Sequence, residues 1–384
     1  MRVIWLAGWY PTTQNAFSGN FVRRHYHAVK NAAAANDEFE LYHFAPYESR
    51  DKIPALLEGE DASVNIVPVR QFSGPFRILN ALIYYFIVFR KLGPILFRSV
   101  DLVHVHAADK IGVAVAFLKI FGSYKLWLTE HWAIFKQDVP DAFEKRGWWF
   151  QFSYRYLWNR VDSVLAISKE LHSAMCEVLQ KEIEYSGLEN SLDPEFVPYV
   201  SQQKSNNNID PETLNILHVS NGESRKNVAQ LVKAFQEFKL QCPGANLTLI
   251  GSEGHHRYLD VVGVATMPAI TTTELAKYYM EADLLVLVSD AENAPCVIVE
   301  ALCFGVPVLV TTVGGIGGMC NSQNSIQIPP FQTHEEKAEK IHRALLDFLT
   351  KKQTFDSMQI QQNALKKYHP DAVGRAMRFA YENQ

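Results

Sequence analysis

The sequence predicts an α/β protein made of two parallel-sheet domains. Three observations lead there. Short apolar, β-branched runs alternate with longer helical patterns along the 384 residues, as parallel α/β units require. One polar, Asn-rich stretch, SQQKSNNNIDPET (Ser201–Thr213), interrupts the alternation, which restarts behind it. At about 150 residues per domain, the length favours two domains, each large enough to bury its own core.

In the first half the runs predict strands at Arg2–Ala7, Glu40–Phe44, Leu102–His106, Leu126–Thr129 and Ser163–Ile167. Helices are expected at Asn20–Ala35 and over the Trp-rich Gly147–Arg160. After the linker come strand Ile216–Ser220, helix Val228–Gln241, strand Leu247–Gly251, helix Thr273–Glu281, strand Leu284–Ser289, helix Pro295–Phe304 and strand Val306–Thr311. The stretch from Thr333 to the end reads as helical. Sheets of this kind bind ligands outside the carboxyl ends of their strands, so function belongs on the loops that follow each strand.

Composition excludes several classes. The hydrophobic fraction is 48% and the formal net charge −4, with a pI of about 6.4, so no global basic field points to nucleic acid. Five scattered cysteines without a C-x-x-C fit a reducing compartment and argue against a disulfide framework or structural zinc. The N-terminal apolar run ends at Pro11, too short for a signal peptide. No stretch reaches the ~18 uninterrupted apolar residues that span a bilayer, and a cytoplasmic protein is expected. Phe76–Phe97 is the segment with most affinity for lipid: aromatic and aliphatic, with Arg77, Arg90 and Lys91, broken by Gly93-Pro94. It admits two readings, a core-packed helix or a surface that leans on anionic lipid.

Residues 289–312, SDAENAPCVIVEALCFGVPVLVTT, carry the chemistry. Leu284–Ser289 is a continuous apolar strand, Pro295 suits the first turn of a helix and Gly305 its end. Glu292 therefore falls in the strand-to-helix loop. Glu300 lies five residues past Pro295, about 7.5 Å along the helix axis. A helix start offers free N–H groups and positive dipole to phosphate. A carboxylate beside such an anion site needs neutral donors, and sugar hydroxyls are suitable ones. A diphosphate flanked by two polyols, a nucleotide sugar, satisfies both demands, with Glu300 on the ribose and Glu292 on the transferred sugar. The bland alternative has Glu300 reaching a helix surface and Glu292 as an ordinary loop charge.

This segment resembles the E-x7-E stretch of the retaining GT-B glycosyltransferases of family 4 (glycosyl transferases group 1). HVSNGESRKNVAQLVKAF (His218–Phe235) is similar to that family's strand–loop–helix with a diphosphate-binding lysine, here Lys226. FSGNFVRRHYHAV resembles its glycine loop facing the donor, here Gly19, and DLVHVHA, LTEHW and AISKEL match later strand ends of the first domain. LENSLDPEF stands where many members read N-G-V-D, and Gly318 stands where relatives carry an acidic residue.

The resemblance implies a GT-B fold, two Rossmann-like domains facing across a cleft. Residues 1–200 would form the acceptor-side domain, 201–213 a linker and 214–365 the nucleotide-sugar domain, with a helix over 366–384 packing back on the first domain. It implies a metal-independent, retaining hexosyltransferase of bacterial type. The donor would be a UDP- or GDP-sugar and the acceptor a glycan or lipid-linked glycan, as in cell-surface polysaccharide synthesis. Attack would come on the front face, the leaving phosphate helping to deprotonate the acceptor. Phe76–Phe97 and Arg146–Arg160 would shape the acceptor side, with possible peripheral contact at the inner face of the cell membrane. No cofactor is implied.

Lys226, with Arg225 beside it, would meet the charge of the departing diphosphate, and His131 would touch the donor sugar or its phosphate, oriented by Glu130. Asn293 and Ala294 would lend backbone N–H groups to phosphate, and Gly19 would let backbone approach the donor closely. Asn190 and Asp193 read as structural. His104 and His106 share one strand face, but the sequence offers no clear third ligand, so no metal is expected. The alternatives are a sugar-nucleotide epimerase or phosphorylase on the same fold, or a non-catalytic glycan-binding homologue.

Overall fold

The computed structural model of the chain describes residues 1–108, 110–135, 141–201 and 213–383. Of the expected linker Ser201–Thr213, residues 202–212 lie outside the described residues. The chain divides into two compact units, Met1–Glu189 with Val373–Gln384, and Asn190–Ala372.

The first unit runs β1 (Arg2–Ala7), α1 (Asn20–Asn31), β2 (Glu38–Tyr47), β3 (Val64–Arg70), α2 (Leu79–Leu96), β4 (Leu102–His106), α3 (Lys110–Leu118), β5 (Lys125–Thr129), α4 (Trp148–Trp158), β6 (Ser163–Ala166), α5 (Lys169–Leu179) and β7 (Ser186–Gly187). All its strand pairs are parallel, in the order β3-β2-β1-β4-β5-β6-β7. Val3, Trp5 and Ala7 of β1 pack with Val22, Tyr26 and Val29 of α1 in one core.

The second unit runs α6 (Val197–Val200), β8 (Leu214–Val219), α7 (Val228–Gln241), β9 (Ala245–Ile250), β10 (Val264–Met267), α8 (Thr272–Glu281), β11 (Leu284–Leu287), α9 (Cys296–Cys303), β12 (Val308–Thr311), β13 (Ser325–Ile328), α10 (Glu336–Lys351) and α11 (Ser357–Tyr368). A last helix, α12 (Pro370–Asn383), straddles the division. The sheet is again all parallel, β10-β9-β8-β11-β12-β13. Successive residues of β11 feed opposite cores: Leu284 and Val286 meet Leu231, Phe235 and Ile341, while Leu285 and Leu287 meet Ile298, Leu302 and Tyr279. Both faces are covered, which is why the strand is an unbroken apolar run.

Three expectations are corrected. Residues 190–200, expected with the first domain, belong to the second unit, because Leu192, Phe196 and Val200 lie in its core. The return to the first unit begins at Val373, not residue 366. Ile360, Ala364 and Tyr368 of α11 are claimed by the second core, whereas Val373, Met377 and Tyr381 belong to the first. There a Cβ on Gly374 would lie 2.0 Å from the Ala28 carbonyl oxygen. The third concerns α2, which packs on the core by one face only: 22% of its most apolar 18-residue window is buried. Tyr84, Val88, Leu92 and Leu96 face inward, while Leu79, Leu82 and Phe86 are exposed. Among the described residues this segment, counted from Gly74, is the one helix long and apolar enough to cross a membrane.

Candidate functional site

Both sheets have the strand order in which the chain reverses direction between two central neighbours, β1 and β4 in one unit, β8 and β11 in the other. A crevice opens at such a switch point outside the carboxyl ends. In the second unit the loops after β8 and β11 supply Arg225, Lys226 and Glu292.

Lys226 ends a short 3₁₀ turn, Ser224–Lys226, and its Nζ donates to Glu292 Oε1 at 2.5 Å. Both side chains are largely buried. Arg225 Nη1 lies 3.5 Å from the same oxygen and donates to the Ala291 carbonyl at 2.8 Å, while its Nε donates to Glu223. The two cations thus converge on one carboxylate, although they are sequence neighbours. Asn227, which follows, adopts a left-handed conformation (φ 54°) that ends the turn.

A partly buried polar lattice, reaching the surface at Asp290, holds these loops together. Asn227 Nδ2 donates to the Val288 carbonyl and to Asp290 Oδ1, and Lys337 from α10 donates to Asn227 Oδ1 and to both Asp290 oxygens. The Asp290 N–H donates to the Arg225 carbonyl at 2.8 Å. Beneath lies His218, fully buried and bonded through Nδ1 to the Val286 carbonyl and through Nε2 to the Ser220 hydroxyl. A carbonyl only accepts, so Nδ1 carries the proton and Nε2 accepts from Ser220. Burial holds the His218 pKa down at about 4, so the ring is neutral near pH 7.

Glu300 lies on α9, 3% exposed, and accepts a hydrogen bond from the buried Tyr279 hydroxyl of α8 at 2.7 Å. The surface-reaching alternative for Glu300 is therefore excluded by its burial. Pro295 caps α9 from outside (ψ 124°) and does not start its first turn as expected; the helix is Cys296–Cys303. Asn293 and Ala294 lie in the loop just before this start. Asn190 Nδ2 donates to the Ala294 carbonyl at 2.5 Å, and Asp193 caps the turn that begins at Pro194.

In the first unit the loops after β1 and β5 meet. Gly19 precedes α1 at φ 71°, and a Cβ there would lie 2.4 Å from the Trp9 carbonyl oxygen. Two residues on, the Phe21 ring lies 4.1 Å from that of His131, and Trp9 packs on Phe21 and Trp132. Glu130 accepts from the backbone N–H groups of Ala108, His131 and Trp132 and from the Tyr154 hydroxyl. It orders the His131 loop through backbone; burial pushes its pKa up against these bonds.

The sequence offers no clear third ligand for a His104–His106 pair, and the fold instead groups His106 with two histidines from other segments, without His104. Ring nitrogens of His25 (from α1), His106 and His131 lie within 4.8 Å of one another. Burial, with mutual repulsion, holds His104, His106 and His131 well below the usual histidine value, and His25 falls to about 4. Neutral imidazoles suit a late divalent transition metal. Two nitrogens on one zinc are at most about 4.2 Å apart, so at that outer spacing the rings would have to close in. Sequence reasoning missed His25, because α1 and β4 are joined only by folding. It also missed His218, Asn227, Tyr279, Asp290 and Lys337; the signal available was a charged residue, Lys337, within an apolar helical stripe.

Residues 200–364 match the family described as glycosyl transferases group 1. The D-inositol 3-phosphate glycosyltransferase of Pseudarthrobacter chlorophenolicus is 29% identical over 135 residues, 32% of this chain and 32% of that relative, so the likeness spans about a third of its length. The alpha-monoglucosyldiacylglycerol synthase of Acholeplasma laidlawii is 23% identical over 300 residues, 71% of this chain and 72% of the relative. Among solved structures, sucrose-phosphate synthase from Thermosynechococcus elongatus superposes with a TM-score of 0.76 at 17% identity, covering 100% of this chain and 98% of that one. Anabaena HepE in complex with UDP superposes with a TM-score of 0.69 at 17% identity, covering 100% of both. The chain has the two-domain parallel α/β architecture of GT-B glycosyltransferases, and its residues 200–364 carry the likeness to glycosyl transferases group 1.

Proposed function

We propose that this protein transfers a hexosyl unit from a UDP- or GDP-sugar to a glycan or lipid-linked glycan acceptor, as a retaining family 4 enzyme of the cytoplasm. The observation that carries the reading is the Lys226–Glu292 pair at the β8/β11 switch point, with Arg225 on the same carboxylate. An incoming diphosphate would draw Lys226 and Arg225 toward its oxygens, supported by the start of α9, and Glu292 would turn to the sugar hydroxyls. Glu300, oriented by Tyr279, would accept from the ribose. On the first unit Gly19 and His131 would face the donor sugar. Preset cations of this kind stabilise the leaving diphosphate without metal; one such group commonly contributes about 3–4 kcal/mol to lowering the barrier. The acceptor attacks from the face the diphosphate leaves, and that phosphate takes the acceptor proton, which retains configuration.

The test is a panel of UDP- and GDP-sugars, read by thermal stabilisation and by release of nucleoside diphosphate. Glu300→Gln should weaken donor binding or turnover by roughly tenfold, about 1.4 kcal/mol; kinetics like the unaltered protein's would remove the ribose assignment. Turnover should persist in EDTA, and strict dependence on added metal would defeat the cation-based mechanism. An epimerase would instead convert the donor without transfer, and a non-catalytic homologue would bind it without turnover.

A further inference from the structure

The first unit carries large apolar side chains on its outside that its own core does not need. On α2 the inward row Tyr84, Val88, Leu92 and Leu96 runs at four-residue spacing. Ile78, Leu82 and Phe86, 81%, 68% and 65% exposed, run at the same spacing two residues out of phase. Two residues turn a helix by about 200°, so this second row stands opposite the first. The apolar surface continues past it. The Phe89 ring lies 5.7 Å from exposed Phe117 at the end of α3, Phe117 lies 5.9 Å from exposed Phe121, and Phe121 lies 6.4 Å from exposed Phe97. α3 packs against both α2 and α4, and α4 adds exposed Trp148 and Trp149, stacked at 4.0 Å, with Phe152. Isolated exposed apolar residues are ordinary, but a contiguous aromatic field marks a contact surface.

Charge selects the occupant. From Gly74 to Val100 there is no Asp or Glu, while Arg77, Arg90, Lys91 and Arg98 are all exposed. That local excess of four cations sits in a chain whose formal net charge is −4. We infer that α2, with the α3 terminus and the α4 tryptophans, is an interfacial docking surface for a bilayer bearing anionic headgroups. The apolar row enters the headgroup–acyl boundary and the cations meet lipid phosphate. Trp148 and Trp149 have the amphipathic rings that favour this depth. The helix lies on the membrane and does not cross it, because its inward row is buried in the first unit and Arg90 and Lys91 sit within its length. Docking is independent of the donor chemistry; only its purpose, bringing the first unit to a lipid-linked acceptor, rests on the function proposed above.

The experiment uses the full chain and sedimentation with vesicles of phosphatidylcholine alone or mixed with phosphatidylglycerol. The protein should pellet with the anionic vesicles and stay in solution with the neutral ones, and high salt should release much of it as the phosphate contacts are screened. Leu82→Glu/Phe86→Glu should reduce the anionic partition at least about tenfold. Arg90→Gln/Lys91→Gln, which leaves the apolar row intact, should reduce it severalfold. Both variants should keep the melting temperature and the donor-induced stabilisation of the parent, which separates loss of docking from loss of fold or donor site. Absence of pelleting, or equal pelleting with both vesicle types, overturns the assignment. So does a parent chain that is dimeric by light scattering without lipid and becomes monomeric in Leu82→Glu/Phe86→Glu, since the face would then join two copies.

Discussion

Lys226 and Glu292 are 66 residues apart in sequence and 2.5 Å apart in space, the ammonium of one loop against the carboxylate of the next. Each is largely buried, so each charge offsets much of the other's cost of leaving water. On the function proposed above, the pair would keep a cation poised in the crevice for the donor's diphosphate.

Lys226→Met should lower turnover by about 10²–10³-fold, the usual effect of removing one preorganised charge. It should also destabilise the second unit by roughly 1–3 kcal/mol, because the largely buried Glu292 loses its 2.5 Å contact with the Lys226 ammonium. Lys226→Met/Glu292→Gln should cost less stability than the two single losses summed. Additive losses in urea unfolding would show that the pair is not one energetic unit.

Tyr279→Phe keeps the ring, which stacks on Phe304 at 5.4 Å, and removes only the hydroxyl that donates to Glu300. The expected cost is about 1.5–3 kcal/mol, as for a hydrogen bond to a charged group. Donor affinity should fall, though less than in Glu300→Gln. Unchanged affinity by calorimetry would reduce Tyr279 to a packing role.

Gly19→Ala places a methyl carbon within 2.4 Å of the Trp9 carbonyl oxygen at φ 71°, where both backbone strain and collision oppose it. Gly59→Ala meets the strain alone, since nothing lies within 4 Å of a Cβ there at φ 81°. The first variant should lose more than the second's roughly 1–2 kcal/mol, read as the difference in denaturation midpoint. Equal midpoints would remove the close approach at Trp9 as the reason for a glycine.

Stability should fall as pH drops from about 6.5 toward 4. His25 and His218 are each fully buried, and burial holds both near a pKa of about 4 in the folded chain. In the His25 case the bond to the Glu189 carbonyl partly offsets the burial. The unfolded chain binds these protons near pH 6.5, so in this window it holds more protons than the folded one and acid favours unfolding. Above pH 6.5 the contribution is fully present. Each ring accounts for a loss of roughly 3 kcal/mol by pH 4. Urea midpoints at pH 7.5, 6 and 5 check this, and His25→Asn/His218→Asn should flatten the trend. A parent midpoint flat from pH 7.5 to 5 would contradict it.

The strands read from the sequence are nine, and all lie in the sheet interiors. The four it missed, β3, β7, β10 and β13, are the four sheet edges. Interior strands are covered on both faces and paired on both sides, so they read as continuous apolar runs. Edge strands pair on one side only and carry residues such as Asn65 and Pro68 in β3, Thr266 in β10 and Gln327 in β13, which dilute the signal. For α2 the limit is different. Its apolar residues run all round, and composition says nothing about which face the fold will cover.

The residue types and their places after the strands were legible in the chain alone: Lys226 and Arg225 behind one apolar run, Glu292 and Glu300 behind another. Such patterns are local, set by periodicity and by what starts or stops a helix. Only folding decided that β8 lies beside β11, that Lys226 faces Glu292, that Tyr279 holds Glu300, and that His25 joins His106 and His131. These are contacts between distant segments, fixed by strand order and packing, and no window of sequence contains both partners.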